Sequence, residues 1–145
     1  MANFSPFTPL SETNDTVQTF TNALLTQNSG IMINPTSIVL NESGPLAVNY
    51  YDGSLTELGI GAGVLLTSGG VPPTYNTQPW YSVDNSIWSG FYNGDPDIDK
   101  VVNTVFPTVS YDATTLSFDF TVADPTATSI SFDLVFGTDE YPEWV

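Results

Sequence analysis

Hydrophobic and polar positions recur first at helical spacing and, from residue 31, mainly at the spacing of strands. Val17, Phe20, Leu24 and Leu25 recur at three- to four-residue spacing, which predicts an amphipathic helix over about residues 13–28. Ser11, Thr13, Asn14 and Asp15 offer side-chain oxygens to its first amides, and Gly30 suits the turn beyond its last residue. Its single apolar stripe requires a surface to lie on.

From residue 31 the pattern becomes that of strands. Ile31–Ile33 and Ser37–Leu40 read as one strand interrupted at Asn34-Pro35, because proline has no amide to give a ladder. Ala47–Tyr51 reads as another strand. Asp52-Gly53 follows as a hairpin-turn dipeptide, with Leu55–Leu58 pairing back across it. Gly61–Thr67 has the apolar run of a fully buried strand. Ile98–Val105 predicts a short helix with Ile98, Val101, Val102 and Val105 on one side, and Asp97 near its start.

The strongest alternation is C-terminal. Leu116, Phe118, Phe120 and Val122 alternate with polar residues, as do Ile130, Phe132, Leu134 and Phe136. This predicts two antiparallel strands around the loop 123–128, with one buried face. With Phe20, Leu24 and Leu65, these two apolar sets form the expected core. The fold expected is mostly β: an antiparallel, jelly-roll-like sandwich with one N-terminal amphipathic helix packed on it and a short second helix. Residues 1–12 read as an irregular segment and 13–145 as a single β-rich domain.

Composition narrows the chemistry. The 145 residues carry one base, Lys100, against 16 acids, for a net charge of −15. Charged residues are only 12% of the chain, so bases are missing rather than acids abundant. Such a chain cannot neutralise a phosphate backbone, which excludes nucleic-acid partners, and it gives no attraction to an anionic membrane surface. Without His or Cys it builds neither a Ser-His-Asp nor a Cys-His nucleophile, nor a His or Cys zinc site. Thr, Ser and Asn number 19, 14 and 11, so hydroxyls and amides make the surface polar. That is the profile of an extracellular β-domain. Met1–Leu10 has neither the basic residue nor the apolar run of a secretory signal, and no segment is long enough for direct insertion as a membrane-spanning helix. The end at Trp144-Val145, directly after a strand-like run, is expected to cut the domain short of its C-terminal strands.

Four motifs carry a resemblance: the glycine-bounded run Gly61-Ala-Gly-Val-Leu-Leu-Thr-Ser-Gly69; Gly94-Asp-Pro-Asp-Ile98; the strand 113–120; and, most specifically, Phe136-Gly-Thr-Asp-Glu-Tyr-Pro-Glu143 at the end of a strand. With the N-terminal helix, they make residues 13–145 resemble the choice-of-anchor L domain of bacterial surface and secreted proteins. The resemblance implies a β-rich module of the cell surface or extracellular space, held there by varied anchors, and it implies no enzymatic activity. It also implies further strands after the Tyr-Pro-Glu motif.

Two acidic groups are candidate metal ligands. Asp95, Asp97 and Asp99 alternate in a loop beside Asn93 and Gly94, and alternating carboxylates can converge on a hard cation such as Ca2+. The spacing is not that of an EF-hand, since Lys100 and Phe106 occupy its glycine and bidentate-glutamate positions. Helix capping by Asp95 or Asp97, with the other acids solvated, fits the same residues. Asp139 and Glu140, with Glu143 around Tyr141-Pro142, fit either metal ligation or hydrogen bonding to loop amides. Trp80, Trp88 and Trp144 could stack on sugar rings or simply pack. Three functions follow: a non-catalytic adhesion or assembly module with calcium stabilisation, facing a surface polymer, glycan or protein partner; a carbohydrate-binding module; and a hydrolase using paired carboxylates, which needs two acids about 5–9.5 Å apart across a cleft.

Overall fold

The computed structural model describes residues 7–10, 16–43, 47–55, 58–68 and 94–137. Within them the chain is mostly β, with antiparallel pairing throughout and two helices. The order is β1 (Phe7–Pro9), α1 (Thr16–Leu24), β2 (Ile31–Ile33), β3 (Val39–Asn41), β4 (Val48–Tyr51), β5 (Gly63–Leu66), α2 (Pro96–Val102), β6 (Thr115–Ser117) and β7 (Phe120–Val122). Phe7–Pro9, expected to be irregular, forms an edge strand against β4.

β1, β4 and β5 make one antiparallel sheet with β4 in the middle, while β2 pairs with β7 and β3 with β6. These last two pairs are one ladder with a fault in it. Ile33 faces Phe120 before the fault and Val39 faces Ser117 after it, so five residues (34–38) oppose two (118–119). A 3₁₀ turn at Pro35–Ser37 takes up the excess. Asn34 caps it, its side chain accepting from Thr36 N. Ser37 Oγ accepts from Asp119 N at 2.7 Å, and Asn34 N donates to Asp119 O at 2.8 Å, so side chain and backbone replace the missing rungs. The interruption expected at Asn34-Pro35 is therefore present, and its cause is the proline.

One core joins these elements. Phe20 of α1 is fully buried, with Leu10 and Val48 beside it, and Ile38, Leu40, Tyr50, Val64 and Leu116 pack around them. Val48 and Tyr50 alternate onto one face of β4, Val64 lies opposite Tyr50, and Leu40 lies opposite Leu116. The helix thus rests on the three-stranded sheet, against β4 and β5, while Leu40 and Leu116 of the β3–β6 ladder pack against the same cluster. Its stripe is narrower than expected, because Val17 and Leu24 lie at its exposed margins. A polar clasp beside the core ties the sheets together. Ser43 N donates to Thr114 Oγ1, Thr114 Oγ1 donates to Ser43 Oγ, and Ser43 Oγ donates to Thr67 O.

Several expectations are corrected. Leu55 does not pair back across Asp52-Gly53. β4 pairs instead with β5 across the longer loop 52–62, and Leu55 is held by the Tyr51 hydroxyl, which accepts from its N and donates to its O. β5 is half-buried, with Leu66 exposed, rather than fully buried. α2 starts at Pro96 and ends at Val102, and Ile98, Val101 and Val105 are exposed. Phe118 is half-buried and Phe120 exposed. The described sheets are small and unclosed, short of the two facing layers that a sandwich or jelly roll requires.

The largest departure is at residues 123–137, which form no strand and are exposed throughout. Phe132, Leu134 and Phe136 are 81%, 78% and 83% exposed. The turn explains it. Asp124 Oδ1 accepts from Thr126 N and Oγ1, and Ala127 N donates to Asp124 O; Asp followed by Pro125 is the usual opening of such a turn. A hairpin continued from this turn would place Phe120 opposite Ser131, Asp119 opposite Phe132 and Ser117 opposite Leu134. Its two apolar sets would then face opposite sides, since a one-residue change of register reverses every side chain.

Candidate functional site

The first acidic group sits at the start of α2, and the structure gives each carboxylate a separate task. Asp95 is the N-cap, its Oδ1 accepting from Asp97 N at 2.8 Å and Ile98 N at 3.0 Å. It satisfies two amides at a helix end, which otherwise have no intrahelical partner. Pro96 follows at the first helical position, where a missing N–H costs nothing. Asp97 pairs with Lys100 at 2.5 Å, both side chains at least three-quarters exposed. An ion pair this exposed contributes little. It does hold the Lys100 ammonium above its usual range, chiefly through the Asp97 hydrogen bond and then through its charge.

Asp99 ties the helix to the chain that follows it. Its Oδ1 accepts from Ser110 Oγ at 2.7 Å and from Ser110 N. Ser110 Oγ also accepts from Asp95 N at 2.8 Å. The Ser110 side-chain bond, followed by its backbone bond, lowers the Asp99 carboxyl below the usual carboxylate range. Ionised, this carboxylate accepts both donations. The latch is therefore complete above the ordinary aspartate pKa and is lost as pH falls through the lowered one. Gly94 allows the approach: a Cβ there would lie 2.5 Å from Ser110 O.

Asp95, Asp97 and Asp99 are thus close in the chain but turned to different partners. Among the described residues no three acidic side chains group so as to hold a metal ion. Asp139, Glu140, Trp80, Trp88 and Trp144 lie outside the described residues. Of the two residues that organise this loop, Gly94 opens the Gly94–Ile98 motif, whereas Ser110 carries no signal in the sequence, being one of 14 serines. A second feature is an open groove at the C-terminal end of α1, lined by Asn22, Thr26, Gln27, Asn28 and Ser29. Asn28 adopts φ +64° there, a conformation asparagine tolerates better than most residues. Among the described residues no helix is long and apolar enough to cross a membrane.

Comparison with known proteins finds no match among curated proteins and none among solved structures. The family model of the choice-of-anchor L domain, in contrast, matches residues 9–145. That span holds both helices, the central core and the α2 latch, and it shows that the chain belongs to the choice-of-anchor L domain family.

Proposed function

We propose that this chain is a non-catalytic module of a bacterial cell-surface or secreted protein, serving adhesion or the assembly of surface material. The family match over residues 9–145 carries the reading. The chemistry supports it: a chain with no His, Cys or Arg has few means of nucleophilic or acid–base catalysis, and Asp95 serves a helix cap, Asp52 and Asp124 turns, and Asp99 the α2 latch. We place the apolar faces of the described sheets inside a two-layered sandwich. An antibody raised against the chain should label intact producing cells or their culture medium. Labelling that requires permeabilised cells would reject a surface role.

Calcium belongs to this proposal as a counter-ion. At a net charge of −15, with one base, compaction brings like charges together. A divalent ion that binds the folded state preferentially stabilises it by about 2.7 kcal/mol at a hundredfold excess over its Kd. Millimolar calcium should raise the melting temperature more than sodium chloride at matched ionic strength. Asp95→Asn with Asp97→Asn should leave that increment in place, because asparagine still caps α2 and Asp97 engages only Lys100. Loss of the increment in this double variant would locate the ion at the α2 loop. Equal shifts with calcium and sodium would remove calcium from the proposal.

A further inference from the structure

Residues 16–41 contain no charged side chain, in a chain that carries 16 acids. The stretch includes α1, whose first turn has no acid and whose last turn has no base. The outward face of a surface helix ordinarily carries charges; here Gln18, Asn22 and Thr26 take their place, all exposed. Asn22 and Thr26 also line the groove at the C-terminal end of α1, a space of about 560 Å³, within the size range of small-ligand sites. Leu25 and Ile31, both half-buried, give the groove its apolar part. Its rim is fixed. Gly30 O accepts from Ala123 N at 2.8 Å, Ser29 N donates to Thr26 O at 3.1 Å, and Ile31 N donates to Ser29 Oγ at 3.3 Å. Asn28 is held at φ +64° within that rim, and non-glycine residues kept in this region by their surroundings cluster in segments that clamp ligands.

The polar groups of the groove have spare hydrogen-bonding capacity. The side chains of Gln27 and Asn28 have no hydrogen-bond partner among the described residues. Asn22 Oδ1 accepts from Gln18 Nε2 at 2.8 Å, which leaves the Asn22 N–H groups to donate. Ser29 Oγ accepts from Ile31 N, which leaves its hydroxyl proton. Each primary amide offers two donors and a carbonyl acceptor, the complement of neighbouring hydroxyls that both donate and accept. A charged ligand is not matched, because nothing in the lining neutralises an ion, and an ion loses more than a hydroxyl does on leaving water. An anion is further opposed by the net charge of −15. We propose that this groove binds a neutral polysaccharide. Asn22, Gln27 and Asn28 hydrogen-bond its hydroxyls, and Leu25 and Ile31 lie against the apolar face of a sugar ring. The inference rests on the surface-module reading for where the ligand is met, and it gives the adhesion a glycan partner. No aromatic ring lines the groove, so single-site affinity is millimolar, and firm attachment comes from several modules meeting one polymer.

The test is a titration of the nitrogen-15-labelled 145-residue chain, read by NMR at the side-chain amide signals of Asn22, Gln27 and Asn28. The neutral probes are cellotetraose, maltotetraose and the tetramer of N-acetylglucosamine; tetragalacturonate is the anionic one. At least one neutral probe should move the three signals saturably, with tetragalacturonate binding at least tenfold more weakly. Gln27→Ala should weaken the neutral probe about fivefold, as expected for one or two net hydrogen bonds. Asn28→Gly should weaken it equally at an equal or higher melting temperature, because glycine takes a positive φ without strain, so its loss of binding is not a loss of fold. No movement with any neutral probe, equal binding of tetragalacturonate, or binding that both variants leave unchanged would each overturn the proposal. Antibody labelling of intact cells reads the surface role separately, so a failure to bind removes the glycan site alone.

Discussion

Phe20→Ala should cost about 3–5 kcal/mol, the usual loss for truncating a buried phenylalanine, and should be the most damaging single truncation in the described core. The reason is how little else is fully buried. Among the described residues the large side chains completely covered are Phe20, Val48 and Asn49, and Asn49 is polar. Phe20 lies in the core cluster where α1 meets β4 and β5, so its removal leaves a cavity that helix and sheet cannot both close on. For a chain of this size total stability is about 7–20 kcal/mol on a per-residue basis, so the loss is a large fraction of the whole. Urea denaturation should show a lower midpoint at an unchanged slope. Phe20→Leu, which keeps most of the volume, should cost less than about 1.5 kcal/mol. Phe118→Ala, at a half-buried position, should lose roughly half as much as Phe20→Ala, since the transfer contribution scales with area removed from water. A loss below about 1 kcal/mol for Phe20→Ala would mean that α1 does not rest on the sheets as described.

Local pattern was a reliable guide wherever a segment's partner lies on a strongly marked element. The helical stripe around Phe20, the break at Asn34-Pro35, the strand at Val48–Tyr51 and the cap at the start of α2 were all legible, because each depends on spacing or on one residue's backbone chemistry. The family was legible too, through motifs that run from Gly61 to Glu143. What the pattern could not supply was pairing. The alternation in 116–122 and in 130–136 is equally clear, yet the first set divides between β6 and β7, which pair with β3 and β2, and the second pairs with nothing described. Alternation states which side of a strand is apolar. It does not state whether the intervening turn brings two apolar sides together, and here Asp124 and Pro125 decide that. The acidic loop shows the same limit. Three alternating aspartates suit a cation on paper, but the backbone amides of Asp97 and Ile98, the Lys100 ammonium and Ser110 claim them one by one. The deciding partner, Ser110, lies eleven residues beyond Asp99 and is reached only because Gly94 has no side chain to obstruct it.

A second glycine should show the cost of such a close approach on its own. Gly53 follows β4 with φ at +79°, and a Cβ placed on it would lie 2.7 Å from the carbonyl oxygen of Gly61 and 2.8 Å from its carbon. Both atoms belong to the backbone of the loop that leads into β5, so neither can swing aside as a side chain would. Gly53→Ala therefore meets two penalties. The left-handed conformation costs an L-residue about 1–2 kcal/mol, and displacing packed backbone adds about 1–3 kcal/mol. The lost freedom of the unfolded chain returns about 0.4–1 kcal/mol. The net expectation is a loss of about 1–4.5 kcal/mol, centred near 3 kcal/mol and read as a lower urea midpoint. Gly30 provides the comparison, because it has nearly the same φ, +70°, and nothing within 4 Å of a built Cβ. Gly30→Ala should incur the conformational cost alone, about 1 kcal/mol after the same entropic return. The difference between the two variants then measures the contact between residues 53 and 61, which holds the β4–β5 loop closed in place of the tight hairpin that Asp52-Gly53 suggests. Equal losses at the two positions would show that the loop yields and that Gly53 is required for its φ alone.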